Sequence, residues 1–319
     1  MNLNAVSSPF SSTRHHLLQL LTMGKVLITD AQRFMEECLK VVGAASKPAK
    51  QQAELLIQAD KMGHPSHGMN RLGECICSNT DLDSLPNSIL KETDATAWVD
   101  SCNVLGATSS HFCMDLAICK ARKSGVGWVA AKGGNHNGMM GFWAQKAAKE
   151  GMIGLAFTNT SPLCAPTRSK QVRLQIMHVY ITPSSSVVVA YMPSALKLIL
   201  KYRPGAKYGH HIRGWSHSGT GGPANLGHGF AAVNPDCFAP GFQERVADIM
   251  QHWRQLEPTN PCLRVICPGD RERKADKESE EKGTVSYLKN QIEASAALAK
   301  KLNVEPYKVC QDLTYVWFV

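Results

Sequence analysis

The chain lacks any run of about 18 consecutive apolar residues, so no segment reads as a membrane-spanning helix. It also lacks a Cys-x-x-Cys pair. Its eleven cysteines are an odd number scattered over 319 residues, with Cys75 and Cys77 the one close pair. That pattern fits free thiols in a reducing compartment better than a disulfide framework. No four ligands stand at zinc-finger spacing. The dinucleotide fingerprint Gly-x-Gly-x-x-Gly, the phosphate loop Gly-x-x-x-x-Gly-Lys-Ser/Thr and the nucleophile elbow Gly-x-Ser-x-Gly are all missing. A Rossmann, P-loop or α/β-hydrolase assignment therefore has no residue support.

Acid is missing locally. Between Glu150 and Asp236 there is no Asp or Glu, while Arg168, Lys170, Arg173, Lys197, Lys201, Arg203, Lys207 and Arg213 supply nearly all of the net charge of +9. At the chain's average acid content this stretch should hold about seven carboxylates. It is either a basic, phosphate-facing or solvated surface, or a segment introduced by a frame shift or mis-splicing. Nucleic acid is disfavoured as a partner, because residues 168–213 carry no aromatic-interleaved or recognised binding motif.

What is present is an ordinary globular composition, 44% apolar and 19% charged, long enough for about two domains or one large α/β unit. Residues 1–22 are acid-free and resemble a weak organellar presequence, with Met23-Gly24 as a second possible start. Apolar periodicity and end signals predict helices from Asp30 to Val42, Ser46 to about Met62, Ser110 to Ser124, Met139 to Glu150, about Gly241 to Leu256 and about Ser286 to Leu302. In the third of these, Phe112, Leu116, Ile118 and Cys119 are expected to face inward. A short helix is expected over Ser194 to Tyr202. Strands are predicted at Val126–Ala131, Met152–Thr158, Ser186–Ala190, Phe230–Asn234 and Leu263–Cys267. Asp270 to Lys282 reads as a charged connection. The strand, helix, strand order over 126–158 suggests a parallel βαβ unit.

Four clusters could carry chemistry. Gly63-His-Pro-Ser-His-Gly68 with Arg71 ends a helix; Ser66 beside His67 can relay a proton, and Arg71 can grip a carboxylate, although the same residues could simply cap the helix and turn the chain. Gly133-Gly-Asn-His-Asn-Gly138 lies between a strand and a helix, where open α/β sheets bind ligands, and its His136 titrates near neutrality. Thr158-Asn-Thr-Ser-Pro162 follows a buried strand and suits a cofactor's amide or ribose, or is a polar turn. Pro268-Gly269-Asp270 could approach a nucleotide through backbone amides and a carboxylate, and by itself is only a turn.

Taken in order, Gly63-His-Pro-Ser-His-Gly-Met-Asn-Arg71, Gly134-Asn-His-Asn-Gly138, the run Gly154 to Arg168, Phe238-Ala-Pro-Gly-Phe242 and Pro268-Gly269-Asp270 resemble the type-2 malate/L-lactate dehydrogenase family over about residues 24–170 and 203–305. The resemblance implies a non-Rossmann α/β fold with helical N- and C-terminal parts. It implies an NAD- or NADP-dependent oxidoreductase of small 2-hydroxy or 2-keto acids such as malate or lactate, homodimeric and cytoplasmic. Ser66 with His67, and His136, are then the catalytic acid/base candidates, and Arg71 binds the substrate carboxylate. Asn159, Thr160, Pro268, Gly269 and Asp270 lie on the cofactor; no metal or nucleic acid is implied.

Two departures stand out. Where the family commonly has a substrate-facing tyrosine, four residues after Arg71, this chain has Cys75. Residues 171–202 resemble nothing in the family, so the central sheet is expected to be disrupted and activity impaired. The alternative is an inactive member that partners an intact paralogue. The domain division expected is a flexible extension over 1–23, a helix-rich substrate and dimerisation part over 24–105 and 220–319, and a cofactor domain over 106–219, incomplete at 171–202.

Overall fold

The computed structural model describes residues 21–77, 80–82, 88–159, 162–164, 174–175, 178–182, 188–189, 205–207, 211–212 and 222–316. In chain order these form β1 (Leu21–Leu27), α1 (Ile28–Val41), α2 (Ser46–Lys61), α3 (Leu72–Cys77), β2 (Ser88–Glu92), β3 (Thr96–Asp100), α4 (Gly106–Ser124), β4 (Val126–Gly134), α5 (Met140–Lys149) and β5 (Ile153–Thr158). There follow β6 (Pro162–Cys164), β7 (Leu174–Gln175), β8 (His178–Thr182), β9 (Val188–Val189), β10 (Leu226–Val233), α6 (Phe242–Arg254), α7 (Asp270–Lys282), β11 (Thr284–Leu288), α8 (Lys289–Leu302) and β12 (Val309–Val316). Residues 1–20, Thr160 and the Ser194–Tyr202 helix fall outside the described residues.

The main sheet has the order β2-β3-β4-β10-β5-β8-β9. Its parallel pair is β3 with β4, joined across α4; β10 runs antiparallel to both β4 and β5 and separates them. The expected βαβ unit over 126–158 therefore does not place its two strands side by side. A strand from about 70 residues downstream lies between them, and local patterning carries no trace of such a pairing. The sheet also draws β2, β3 and β10 from segments expected to lie in the helix-rich part. Within 171–202, β8 pairs antiparallel with β5 from Gly154↔Thr182 to Thr158↔His178 and β9 with β8, which continues the main sheet to its edge at β9; β6 with β7, and β1 with β11 and β12, form two separate sheets.

Other differences have local causes. α4 starts at Gly106 and buries Cys113, Met114, Ala117, Ile118 and Ala121; of the residues expected to face inward, Ile118 is in the core, Phe112 and Leu116 pack at its edge, and Cys119 is exposed. Leu263–Cys267 is not a strand; Leu263 and Ile266 face solvent without a partner strand. Asp270–Lys282 is a complete helix, held by charge pairing rather than by an apolar stripe.

Two cores result. One packs α1, α2, β11 and α8 around Phe34, Met35, Leu39, Leu56 and Tyr287. The other packs α4 and α5 on the sheet around Met114, Val129, Trp143 and Phe230. Helix α2 serves both: Leu56 enters the first core and Leu55 the second. Among the described residues no helix is long and apolar enough to cross a membrane.

Candidate active site

The site lies where a loop from each core meets. Helix α2 stops at Met62, and Gly63, at φ +77°, turns the chain into His64-Pro-Ser-His67. Ser66 Oγ lies 2.9 Å from His67 Nδ1. The Arg71 guanidinium braces the turn, donating from Nε to the Ser66 carbonyl at 2.7 Å and from Nη1 to Glu74 at 3.3 Å. Beneath it is Asp60, a carboxyl group that the sequence pattern hides inside a helix. Its Oδ2 accepts from the Met69 N–H at 2.9 Å and from the Tyr287 hydroxyl at 2.8 Å, while Oδ1 is buried without a partner. Burial pushes the Asp60 carboxyl up to about 7, against the pull of its two donors. Gly68 has to be glycine here, because a Cβ at that position would overlap the Asp60 carboxylate.

From the second core, β4 ends in Gly134 and delivers Asn135, His136 and Asn137. Asn135 is buried and donates through Nδ2 to the carbonyls of Asn103 and Val104 at 2.8 and 3.0 Å; its Oδ1 is buried without a partner. Asn137 donates to Ser110 Oγ at 3.0 Å and accepts from the Trp143 indole at 2.7 Å. Held on both flanks, His136 sits with its ring centroid 5.7 Å from that of His67. The Gly138 N–H donates to His136 Nδ1 at 3.2 Å, so the neutral ring carries its proton on Nε2. The two histidines singled out by sequence are thus brought together, with Arg71 one turn beyond His67.

Other expected residues are placed differently. Asn159, at the end of β5, is buried, and its side chain is spent on the fold: Nδ2 donates to the Lys207 carbonyl at 2.8 Å and Oδ1 accepts from the Gly227 N–H at 3.0 Å. The Pro268-Gly269-Asp270 turn opens α7, whose first turn reaches the His67 loop through His64 and Glu272 at 3.6 Å. Asp270 is fully engaged, with Arg254 at 2.8 Å, with Arg273, and with the Cys267 N–H at 2.8 Å. The Arg254 guanidinium in particular holds its carboxyl well below the usual carboxylate range. The turn borders a cleft of about 1040 Å³ lined by Arg254, Arg264, Arg271 and Lys274. Cys75 is buried in the first core, 3.4 Å from Gln52 Nε2, and burial pushes its thiol up to about 12.

A further residue had no sequence signal, since it lies before the strand expected at Phe230–Asn234. His228 on β10 is 1% exposed and joins the two sheet-side loops, with Nε2 3.0 Å from the Asn135 carbonyl oxygen and Nδ1 2.9 Å from Thr158 Oγ1.

Comparison with known proteins agrees with the motifs. The malate/L-lactate dehydrogenase family profile matches residues 26–175. Malate dehydrogenase of Pyrococcus abyssi is 39% identical over 137 residues, 42% of this chain and 38% of that protein. L-sulfolactate dehydrogenase of Methanocaldococcus jannaschii is 35% identical over 143 residues, 44% of this chain and 42% of its own length. The sequence match thus spans about two fifths of these relatives. In solved structures, malate dehydrogenase from Pyrococcus horikoshii OT3 superposes with a TM-score of 0.80 at 22% identity, covering 89% of this chain and 97% of that one. That likeness establishes the shared fold. The segment carrying both histidine loops, Arg71 and strands β2 to β5 is thus the part of the chain that matches the malate/L-lactate dehydrogenase family.

Proposed function

We propose that this protein is a nicotinamide-dependent oxidoreductase of small 2-hydroxy acids. The observation that carries this reading is the approach of the His67 and His136 rings to 5.7 Å beside Arg71. Arg71 offers a planar fork to the substrate carboxylate, held in place by the Ser66 carbonyl and Glu74. His136, with its Nε2 proton, and His67, coupled to the Ser66 hydroxyl, are placed to hold or take the proton of the substrate's hydroxyl oxygen.

The residues present fit the cofactor in part. Asn135 Oδ1, a buried acceptor without a partner next to His136, suits the amide N–H of a nicotinamide. The cationic cleft beside Pro268 and Gly269 suits phosphates. Asp270 does not suit a ribose hydroxyl, because both of its oxygens are already taken; the turn would serve through its backbone. Thr160 completes the set named from sequence. When bound, the nicotinamide supplies or accepts the hydride of the reaction. Either NAD or NADP is compatible with these groups.

Malate and sulfolactate, which appear in the names of similar proteins, are the first substrates to test. Activity is expected to be weak, since the family profile match ends at residue 175 and the following stretch departs from the family's sequence. The same reading makes the protein a cytoplasmic homodimer, which light scattering on the purified chain checks.

Nicotinamide absorbance with malate, lactate and sulfolactate, and each cofactor, tests the activity. Turnover with one of these acids is expected, with Arg71→Gln raising KM by about 100-fold through loss of a charge-assisted carboxylate contact. His136→Ala should lower kcat by a factor of about 100 or more. Absence of turnover with every acid, or turnover indifferent to both substitutions, overturns the reading.

A further inference from the structure

We propose that His228 is a positioning residue that locks the His136 loop to the end of β5, using one ring nitrogen for each. The inference rests on the reading above for what His136 does, but its geometry stands apart from it. His228 lies on β10, the strand between β4 and β5, and it pairs across to Ala131 on one side and Thr158 on the other. Beside it the β4 register shifts: Leu226 faces Gly134 while His228 faces Ala131, so β4 bulges as it leaves the sheet. The bulge lifts Asn135 over the imidazole.

The chemistry of the partners assigns the proton. A carbonyl oxygen only accepts, so Nε2 carries the hydrogen and donates it to Asn135; Nδ1 is then an acceptor facing the Thr158 hydroxyl. That hydroxyl also lies 3.1 Å from the Asn159 carbonyl, so its single proton is shared between two acceptors. Complete burial keeps the ring neutral, with its pKa lowered to about 4, and a neutral ring is what one donor and one acceptor require. Two neighbours are fitted to the ring. A Cβ on Gly134 would overlap the imidazole, and Gly227, the residue before it, exchanges hydrogen bonds with Asn159 at 3.0 and 3.1 Å. A residue that merely filled the core would need neither nitrogen.

Asparagine and glutamine separate the two links, because an asparagine amide reaches about as far as Nδ1 and a glutamine amide about as far as Nε2. In the full chain, His228→Asn keeps an acceptor for Thr158 and loses the donor to Asn135; His228→Gln does the reverse. We expect His228→Asn to move the His136 Cε1–H titration midpoint, followed by NMR without ligand, by about half a unit or more. It should also lower kcat about tenfold, while NADH affinity, read by fluorescence, stays within about twofold. We expect His228→Gln and Thr158→Val to leave the His136 midpoint unchanged and to weaken NADH binding at least about fivefold.

If both histidine variants alter both readouts alike, or neither readout, the positioning role is overturned. If neither folds, Thr158→Val and Gly134→Ala decide, the first expected to affect NADH alone and the second to shift His136; any other pattern counts against the proposal. A protein that turns over no 2-hydroxy acid sinks the enzymatic reading, whereas the His136 midpoint still decides this one.

Discussion

At the scale of single residues, the His67 turn owes its shape to the buried Asp60 carboxyl group beneath it. Asp60, Gly68, Met69 and Tyr287 form one contact set: Gly68 leaves room for the Asp60 carboxylate, and the Met69 N–H and the Tyr287 hydroxyl donate to it. Gly68→Ala forces a methyl group into the Asp60 carboxylate, and overpacking of this kind costs about 1–3 kcal/mol. Tyr287→Phe keeps the ring in the first core but removes one of the two donors to Asp60 Oδ2, at a cost of about 1–3 kcal/mol. Urea unfolding of both variants measures these losses. Because the groups touch, the double variant should lose less than the two single losses combined, and strict additivity would show that the contact set is not coupled.

At the scale of elements, α6 and α7 meet through Asp270. Its carboxylate takes Arg254 from the end of α6, Arg273 from its own first turn and the Cys267 N–H from the turn between them. The pairs are partly exposed, so the network is worth less than its geometry suggests. Asp270→Ala is expected to cost about 1 kcal/mol in chemical denaturation and to open the 257–269 connection to proteolysis, while Asp270→Glu restores part of both. A variant as stable and protease-resistant as the original would show the clamp to be idle.

This helix also shows what local sequence could and could not reveal. Helices α1, α2, α5 and α6 were legible because apolar residues recur on one face; α7 has no apolar stripe, and its i,i+4 ion pairs read as a charged connection. Strand β3 is short, β11 follows Gly283 but takes in Ser286 to Leu288, which read in sequence as the start of the last helix, and the place of β10 between β4 and β5 depends on pairing across a long stretch of chain. In the site, His67, Arg71 and His136 stood out as motif residues in glycine-rich turns. Asp60 and His228 did not, since their meaning comes from partners that are distant in sequence, Tyr287 for one and Asn135 with Thr158 for the other.

For the whole molecule, the two cores carry buried titratable groups that pull stability in opposite directions with pH. In the sheet core, His228 and His111 have pKa values lowered to about 4, chiefly by burial, with Lys146 adding to the effect on His111. When unfolded they titrate near 6.5, so as pH falls from about 6.5 to 4 the unfolded chain gains two protons that the native one refuses. In the first core, Asp60 is raised to about 7 against about 3.9 unfolded, so over the same window the native state holds one proton that the unfolded chain has released. The unfolded state is thus ahead by one proton, and stability should rise by up to about 1.4 kcal/mol per pH unit between pH 4 and 6.5. Above about 6.5 only Asp60 still differs, and stability should fall slightly through pH 7 as its carboxylate ionises in the buried site. Asp60→Asn removes the opposing contribution, so its stability should climb about twice as steeply and then level off, without the decline near neutrality. His228→Gln should flatten the slope between pH 4 and 6.5, because one histidine and one carboxyl then cancel. Urea unfolding at half-unit pH steps distinguishes the three curves, and an Asp60→Asn slope equal to that of the unaltered protein would show that Asp60 ionises in the folded state as it does in water.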